Sequence, residues 1–446
     1  MNWTDIQENS ISDYIEDARF DVFDSYDTDF LEVSETISEL SYLTHNYFRY
    51  YGKFPSKIAK YVIDSLVESG HLDRNIDFIF DNYNGSGTSM VESKIAGFQS
   101  GGIDINPFGV LAANVKTYNY DVKKLNDMCY RLLASIENAS SSEIQLSMLD
   151  VPDTDEAAID EINRKIYIEF PDVEKWFDTG VIKDLCIIKY FLLSMPYDRY
   201  REFFDLAFFA IIRRVSRAHD AEVRPHVNPK KRQRNAIDAF EKKVTEMITT
   251  MDAWNQVTSE SVISKTVVCD NANEEQVTRI IEHLKVLFDK QLGLVISHPP
   301  YLNCFDYIPV YKLKFLWAFG FDEIYGEYSY KDIKSDEIKS YPAKRDTFIN
   351  NYFEHNMKAY RAIYENLKPG GYCCIVIGDC TINKELFSVH KMFIHGMESL
   401  GYKVRKVTYR STAYGMGRYA YNHRADYTDK KDGKQDAIIF FQKPIL

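Results

Sequence analysis

An alternation of strand and helix patterns limits the folds open to this sequence more than any other property. The stretch NIDFIFDNYNGSGTSMVESKIAGFQSGGIDINP, residues 75–107, has the pattern of a strand, a glycine turn, a helix and a strand. From about residue 265 the alternation resumes, with the apolar runs KTVVCD, LGLVIS, GYCCIVIGD and DAIIFFQK separated by helical patterns. Such strands predict an α/β fold with a mostly parallel, doubly wound, Rossmann-like sheet that helices cover on both faces.

Helical patterns dominate the part of the chain between these two α/β segments. They include REFFDLAFFAIIRRVSRA and AIDAFEKKVTEMITTMDAW. A further helix is predicted from Pro55, because Ile58, Val62, Ile63 and Leu66 would share one face. The predicted organisation is an N-terminal extension (1–44), one α/β domain in two segments (45–120 and 265–446) and a helical insertion (121–264).

The net charge of −12 is concentrated at the N-terminus. Residues 1–40 contain twelve acids and one base, Arg19, so the remaining 406 residues carry only −1. A nearly neutral body can still present a basic face to a polyanion. We expect the acidic leader to be a solvated helical or partly ordered extension, and the alternative is that it regulates access to a basic cleft.

The cysteine and hydropathy patterns indicate the cellular compartment of the protein. Seven cysteines are scattered without a CxxC pair or a zinc-ligand spacing, which predicts reduced thiols in a cytoplasmic protein. The N-terminus has no pattern of a secretory signal. No apolar run reaches the roughly eighteen residues of a membrane span, so we expect no membrane association.

The glycine turn and the acid that follows it predict a nucleoside-cofactor site. Gly85 and Gly87 separate a strand from a helix, where free main-chain N–H groups point outward and missing Cβ atoms let a ligand approach. A glycine turn alone would equally suit a structural role. Asp104 ends the next strand, about twenty residues further on, where an acid is placed to bind ribose hydroxyls.

Several motifs together carry a resemblance to one family. DNYNGSGT is similar to a D-P-F-x-G-S-G-T motif, with Asn82 for proline and Tyr83 for phenylalanine, and GIDINP is similar to the second motif of the same proteins. HNYFRYYGKFP resembles their upstream cofactor segment, and SHPPY resembles their (D/N/S)-P-P-(Y/F) tetrad. LKPGGYCCIVIGD and DAIIFFQKP resemble two of their later strands. The family is that of the S-adenosylmethionine-dependent amino-methyltransferases that modify DNA bases, adenine at N6 or cytosine at N4.

The resemblance implies S-adenosyl-L-methionine as cofactor, and no metal, because the sulfonium is already an activated leaving group. It assigns cofactor binding to Lys53, Phe54, Asp81, Tyr83, Asn84, Gly85, Gly87, Thr88, Asp104, Ile105, Asn106, Asp270, Asn271 and Ser297. Asp270 would accept from the adenine amino group, or with Asn271 it only forms a turn. Lys53 and Phe54 would line the methionine end, or only pack the upstream helix.

The tetrad resemblance assigns catalysis to His298, Pro299, Pro300 and Tyr301. A main-chain carbonyl at the prolines and the preceding side chain would accept both N–H groups of the target amine, and Tyr301 would stack on the flipped base. His298 departs from the usual Asp, Asn or Ser, although a neutral imidazole can accept one hydrogen bond. Three alternatives follow for this motif. They are ordinary methylation with histidine as the unusual acceptor, an enzyme that transfers an altered group or acts on an altered base, and a non-catalytic DNA binder.

A basic part of the insertion is the predicted nucleic-acid surface. Between Arg201 and Lys243 there are eleven bases and six acids, including the run PKKRQR. We expect double-stranded DNA to contact Arg213, Arg214, Arg217, Lys230, Lys231, Arg232, Arg234 and, near the C-terminus, Arg418, and the alternative is a solvated basic loop. An RNA guanine-amine methyltransferase is the rival function. A restriction or defence partner and the oligomeric state are left open.

Overall fold

The computed structural model describes residues 27–33, 36, 39–53, 55–140, 155–220, 222–232, 234–326, 329–342, 346–382, 385–411 and 435–445. Ten strands occur in these ranges: β1 Asp27–Leu31, β2 Asp77–Asp81, β3 Ser100–Asp104, β4 Ser264–Val268, β5 Gln291–Ser297, β6 Tyr372–Gly378, β7 Cys380–Ile382, β8 Glu385–Phe387, β9 Lys403–Ser411 and β10 Gln435–Gln442. Short 3₁₀ segments lie at Glu39–Ser41, Leu43–Asn46 and Ile308–Tyr311.

The α-helices of the described ranges fall into three groups along the chain. Three precede the insertion: α1 Ser56–Glu68, α2 Thr88–Ile95 and α3 Pro107–Thr117. Six lie within it: α4 Val122–Ser140, α5 Glu156–Glu169, α6 Val173–Trp176, α7 Thr179–Ser194, α8 Arg199–Val215 and α9 Ala236–Val257. Six follow it: α10 Glu274–Phe288, α11 Lys312–Trp317, α12 Asp322–Tyr325, α13 Tyr330–Asp336, α14 Asp346–Asn366 and α15 Val389–Ser399.

Eight of the strands form one sheet in the order β1-β9-β10-β6-β5-β2-β3-β4. Strand β10 is antiparallel to both of its neighbours, and every other pairing in this sheet is parallel. The chain runs outward from β2 through β3 to β4, then returns to place β5 on the other side of β2. The predicted mostly parallel α/β sheet is confirmed, and its strand order reverses between β2 and β5, where ligands of such sheets bind.

Both faces of the sheet are covered at its centre, where β2 and β6 are buried along their whole length and β5 is buried at all but its first residue. Alternate residues point to opposite faces, so one strand contributes to two cores. One core contains the predicted apolar face of α1 together with Ile79, Leu294, Ile296, Val376 and Ile438. The other, larger core contains Phe78, Phe80, Val295, Ile375, Ile377 and Ile439.

The helices of the insertion join the larger core rather than forming a separate one. Phe108 of α3 contacts Phe209 of α8 with ring centroids 4.8 Å apart, and contacts Phe315 of α11 at 4.9 Å. The insertion is therefore packed directly on the elements that carry the predicted cofactor motifs. No helix among the described residues has the length and apolarity needed to cross a membrane.

Part of the acidic leader, expected to be a solvated helical or partly ordered extension, contributes a largely exposed strand to the sheet. Residues 27–31 form the edge strand β1, parallel to β9. Asp29 accepts from Lys406 at 2.5 Å and from the hydroxyl of Tyr61 at 3.1 Å. The ion pair between Lys406 of β9 and Asp29 thus helps to hold this acidic segment as an edge strand. Residues 1–26 lie outside the described residues.

Candidate active site

At the carboxyl end of the sheet, a pocket lies between the loops that follow β2, β3, β4 and β5. It contains about 800 Å³ of empty space, including part of its mouth. We call it the central pocket. Its walls include twelve predicted site residues: Lys53, Tyr83, Asn84, Gly85, Thr88, Asp104, Ile105, Asn106, Asp270, Asn271, His298 and Pro300. The cofactor motifs and the proline-pair motif therefore share one cavity.

Asp104 holds two loops of this pocket in place. One carboxylate oxygen accepts from the main-chain N–H of Gly85 at 2.6 Å, and the other accepts from that of Asn106 at 2.8 Å. Asn106 in turn begins α3, because its side chain accepts from the N–H of Phe108 at 3.2 Å. Each Asp104 oxygen keeps a second lone pair, so the carboxylate can still accept from vicinal hydroxyls of a ligand.

The loop after β2 requires glycines for two reasons: their backbone conformation has a positive φ, and neighbouring residues lie too close to leave room for a Cβ atom. Gly85 has φ +51°, and a Cβ there would lie 2.9 Å from the ring of Tyr50. Gly87 has φ +78°, and a Cβ there would lie 2.8 Å from the main chain of Ala113. The positive φ and the contact with α3 let α2 begin directly behind the loop.

The loop after β4 closes the opposite side of the pocket. Asn271 donates from its side chain to the carbonyl of Asn82 at 2.6 Å and accepts from the Asn82 side chain at 3.4 Å. Asp270 accepts from the N–H of Ala272 at 2.9 Å through one oxygen and lines the pocket. This turn bond does not use the second oxygen, so the turn-forming and ligand-binding interpretations of Asp270 are compatible.

The upstream segment brings a cation to the pocket through a buried network. Lys53 lines the pocket and its ammonium is 3.4 Å from the carbonyl of His45. His45 is buried, and its Nε2 lies 2.7 Å from Glu92, whose same oxygen accepts from Tyr42 at 2.6 Å. Phe54, the neighbour predicted with Lys53, lies outside the described residues.

His298 and Tyr301 form a contact inside the proline-pair motif. The Nε2 atom of His298 is 3.1 Å from the hydroxyl of Tyr301, and the two rings are tilted with centroids 4.9 Å apart. The carbonyl of Pro300 accepts from the hydroxyl of Tyr352 at 2.6 Å, which fixes the turn from the side of α14. His298 and Pro300 line the pocket, whereas the Tyr301 side chain is buried behind them.

Burial sets the electrostatics of the pocket. It raises the pKa of Asp104 to about 6, against the effect of its two main-chain hydrogen bonds, and it raises the pKa of Asp270. Burial also lowers the pKa of Lys53 to about 8. A ligand that places positive charge or hydroxyl donors beside the two acids would favour their ionised forms.

Five predicted site residues do not line the pocket: Asp81, Gly87, Ser297, Pro299 and Tyr301. Asp81 ends β2 and accepts from the N–H of Tyr83 at 2.9 Å, so it shapes the loop, and burial raises its pKa to about 7. Ser297 is fully buried with its hydroxyl 2.8 Å from that of Tyr360. It points into the larger core because neighbouring residues of a strand face opposite sides.

Other pocket residues were not predicted as site residues, although some lie within the motifs. Tyr50 and Gly52 belong to the quoted HNYFRYYGKFP segment, and Tyr307 lies six residues after the end of SHPPY. Glu337, from the segment after α13, carries no sequence signal. It accepts from the main-chain N–H groups of Tyr307 and Ile308, and burial raises its pKa to about 7.

Some of the predicted DNA-contacting residues form hydrogen bonds or ion pairs within the protein, and others are exposed to solvent. Arg213 is buried and donates to the carbonyls of His219, Glu222 and Val223, so it holds a loop instead of facing solvent. Arg217 pairs with Asp178, and Lys231 pairs with Asp220 at 2.7 Å. Lys230, Arg232 and Arg234 are exposed, and Arg214 is half-buried. Arg418 lies outside the described residues.

Comparison with curated proteins found methyltransferases. The chain is 26% identical over 267 residues to the Type II methyltransferase M.MvaI of Kocuria varians, which covers 58% of this chain and 53% of the relative. It is 34% identical over 98 residues to the Type II methyltransferase M.MjaII of Methanocaldococcus jannaschii, covering 22% of this chain and 17% of the relative. The chain thus spans about half the length of the first and less of the second. No protein-family model matches.

Solved structures give weaker similarities. A candidate DNA modification methylase from Thermus thermophilus has a TM-score of 0.19 and 14% identity, covering 38% of this chain and 50% of that one. The rRNA methyltransferase aviRa from Streptomyces viridochromogenes has a TM-score of 0.30 and 9% identity, covering 88% and 86%. At these TM-scores neither structure supports an argument about substrate. The fold assignment rests on the strand order, and the two curated relatives support the predicted resemblance at the level of DNA methyltransferases.

Proposed function

We propose that this chain, a relative of the Type II methyltransferases, methylates the exocyclic amine of an extruded base in double-stranded DNA. The donor would be S-adenosyl-L-methionine, and the acceptor would be adenine N6 or cytosine N4. The modification would be site-specific, of the restriction-modification or defence type. One observation carries the proposal: the loop containing Gly85 and the turn containing His298 and Pro300 line the same pocket.

The residues of the central pocket fit this cofactor. Its ribose carries vicinal hydroxyls, for which the Asp104 carboxylate keeps lone pairs. Its adenine carries an amino donor, for which Asp270 offers an acceptor. Asn106 adds a buried side-chain amide whose nitrogen has no hydrogen-bond partner among the described atoms. When bound, the cofactor supplies a methyl group already activated by its sulfonium.

His298 is proposed to accept one N–H of the target amine. In the tautomer with the proton on Nε2, this N–H donates a hydrogen bond to the Tyr301 hydroxyl, and the unprotonated Nδ1 carries a lone pair. An amine conjugated to an aromatic ring is a poor nucleophile, because its lone pair is delocalised. Hydrogen bonds accepted from both of its N–H groups favour a pyramidal nitrogen with a localised pair.

The second acceptor is proposed to be a main-chain carbonyl of the proline pair. The Pro300 carbonyl accepts from Tyr352 at 2.6 Å, which fixes the turn and leaves that oxygen a second lone pair. Tyr301 was expected to stack on the base, but its side chain is only 4% exposed. We therefore assign it to orienting His298, and stacking by its ring would require it to move. The rate enhancement would come mainly from positioning and lone-pair localisation.

Methyl transfer from labelled cofactor by the purified protein tests this function. Unmethylated duplex DNA, a transfer RNA and ribosomal RNA would be offered separately, and the products digested and resolved by nucleoside mass spectrometry. We expect label in N6-methyladenine or N4-methylcytosine from the duplex. Label in a guanine amine of RNA would support the rival function, and cofactor binding without transfer to any substrate would support a non-catalytic DNA binder.

A further inference from the structure

Two guanidinium groups outside the central pocket lie against one tyrosine ring, and a buried lysine lies against a neighbouring tyrosine. The guanidinium carbon of Arg49 lies 4.9 Å from the ring centroid of Tyr51, and that of Arg213 lies 5.0 Å from the same centroid. The ammonium of Lys314 in α11 lies 5.7 Å from the ring centroid of Tyr311, and the Tyr311 and Tyr51 centroids are 6.4 Å apart. We call Arg49, Arg213 and Lys314 the cation cluster.

The cation cluster has little compensating negative charge. Asp220 is the acid that acts on Arg213, but it is already paired with Lys231 at 2.7 Å. Within the described ranges, no carboxylate forms an ion pair with Arg49 or Lys314. Clustered cations without acids are costly when buried, unless an anion from outside completes the site.

Lys314 is the most unusual member of the cation cluster. Its side chain is only 6% exposed, and its ammonium lies 5.2 Å from the ring centroid of Phe48 and 5.7 Å from that of Tyr311. Burial, together with Arg213 and Arg49, lowers the pKa of Lys314 to about 7. The aromatic faces offset part of the burial cost of the ammonium, but they do not replace a counter-ion.

The members of the cation cluster differ in their free donors. Arg213 donates hydrogen bonds to three main-chain carbonyls. It therefore contributes positive electrostatic potential and holds the neighbouring loop. Arg49 is exposed at the surface. The hydroxyl of Tyr51 is buried without a hydrogen-bond partner among the described atoms. Arg49, Lys314 and the Tyr51 hydroxyl are therefore the groups here whose donors are not spent on other described residues.

The cation cluster lies at the rim of the central pocket. Tyr50 and Gly52, the neighbours of Tyr51, both line that pocket. The N–H of Tyr51 donates to the hydroxyl of Tyr311 at 2.9 Å, and Tyr311 belongs to the same 3₁₀ segment as the pocket residue Ile308. Lys314 follows three residues later, so this member of the cluster lies on the same continuous segment as the proline-pair motif.

We propose that Arg49, Lys314 and the Tyr51 hydroxyl form a phosphate site for a backbone phosphodiester of DNA beside the extruded base. Arg213 is a positioning residue that holds the Tyr51 ring and the neighbouring loop. The inference rests on the proposed function, since it names where the duplex is gripped. A DNA phosphate bound at the rim of the pocket would fix the distance between the DNA backbone and His298. Base extrusion alone leaves this distance variable.

Duplex binding by three variants tests this site. Arg49→Gln and Lys314→Met each remove one charge of the cluster, and Lys290→Gln is the matched control. Lys290 lies just before β5, at the opposite edge of the sheet, about 20 Å along that strand from Ser297. Affinity for an unmodified duplex would be measured by fluorescence anisotropy with S-adenosylhomocysteine over a range of salt concentrations, and cofactor affinity by calorimetry.

We expect each cluster variant to bind the duplex about 5- to 10-fold more weakly at about 0.1 M salt, with the slope of log K against log salt reduced by about 1. Lys290→Gln should match the wild type, and cofactor affinity should be unchanged in all three variants. Because Arg49 is exposed, its variant keeps the test valid if Lys314→Met fails to fold.

Several outcomes would overturn the inference. One is that both cluster variants bind the duplex like Lys290→Gln, with the same salt slope. Another is that inorganic phosphate binds the wild type and is lost in the variants while duplex binding is unchanged, which would make this a free-anion site. A loss confined to an RNA hairpin would also contradict it. Failure of the wild type to bind any duplex would instead overturn the proposed function itself.

Discussion

The carboxylate of Asp104 accepts a hydrogen bond of 2.6 Å from the main-chain N–H of Gly85, nineteen residues earlier in the chain. This bond joins the loops at the ends of β2 and β3, two neighbouring strands of the sheet. The acid therefore acts twice, since it shapes the glycine loop before any ligand is bound and also offers acceptors to that ligand.

Replacing Asp104 should weaken cofactor binding. Asp104→Asn would place an amide NH₂ against one main-chain donor and leave a single acceptor oxygen, so we expect a 10- to 100-fold loss of affinity, on the order of 1.5–3 kcal/mol. Calorimetry with S-adenosylmethionine measures it. Asp64→Asn, an exposed acid on α1, is the charge-matched control. Wild-type affinity in Asp104→Asn would remove Asp104 from the cofactor site.

Cofactor affinity should depend on pH through the same residue. Burial raises the pKa of Asp104 to about 6 in the free protein, and the ionised form is the one that accepts from ribose hydroxyls. Affinity should be full above about pH 7 and fall by up to about tenfold per pH unit as pH decreases below 6. Calorimetry between these values measures it, and Asp104→Asn should flatten the profile. A flat wild-type profile would contradict the assignment.

The stability of the free protein should respond to pH with the opposite sign. Asp81, Asp104 and Glu337 all have pKa values raised by burial, so the folded state binds their protons more tightly than the unfolded state. Their contribution to the free energy of unfolding is full below about pH 4 and is lost as pH rises toward 7. Urea unfolding of Asp104→Asn and of the wild type at several pH values separates the contribution of Asp104 from the contributions of the other titrating groups.

His298 should affect turnover without affecting cofactor binding. Removing its acceptor in His298→Ala should lower kcat by about 100-fold or more, with the cofactor Kd unchanged. His298→Asn and His298→Asp restore acceptors of the kind usual at this position, so they should keep more activity than the alanine variant. Single-turnover methyl transfer measures all three. Equal activity of His298→Ala and the wild type would remove His298 from the reaction.

The turn at Gly87 should be intolerant of any side chain. Gly87→Ala combines a left-handed conformation with a Cβ 2.8 Å from the main chain of Ala113, so we expect a loss of about 2–4 kcal/mol in the free energy of unfolding. Gly70→Ala is the control, because Gly70 has φ +73° but no atom within 4 Å of the added Cβ. It should lose only about 1 kcal/mol. Equal losses in urea unfolding would exclude the contact with α3.

Strand and loop positions were predictable because local chemistry determines them. The apolar runs ending at Asp81, Asp104 and Ser297 became neighbouring parallel strands, so the residues after them met at one edge, as parallel strands require. The helix predicted from Pro55 also formed, with Ile58, Val62, Ile63 and Leu66 buried.

Side-chain direction and contacts between distant segments were not predictable in the same way. The strand pattern does not reveal which face of β5 borders the pocket, and Ser297 proved to face the larger core. Arg213 looked like a surface base, but α8 is buried on nearly all sides and a loop folds over the Arg213 guanidinium. Glu337 reaches the pocket only because the segment after α13 packs on Tyr307. Contacts of this kind depend on tertiary structure.

Mapping of methylated bases in a host that lacks DNA methylation would decide whether the two loops of the central pocket serve one reaction. The wild-type protein and His298→Ala would be expressed in parallel, and genomic DNA would be examined by modification-sensitive sequencing and nucleoside mass spectrometry. We expect the wild type to produce N6-methyladenine or N4-methylcytosine at one recurrent sequence, and His298→Ala to leave it unmodified. Genomic DNA without either modified base, from cells containing the folded wild-type protein, would contradict the proposed function.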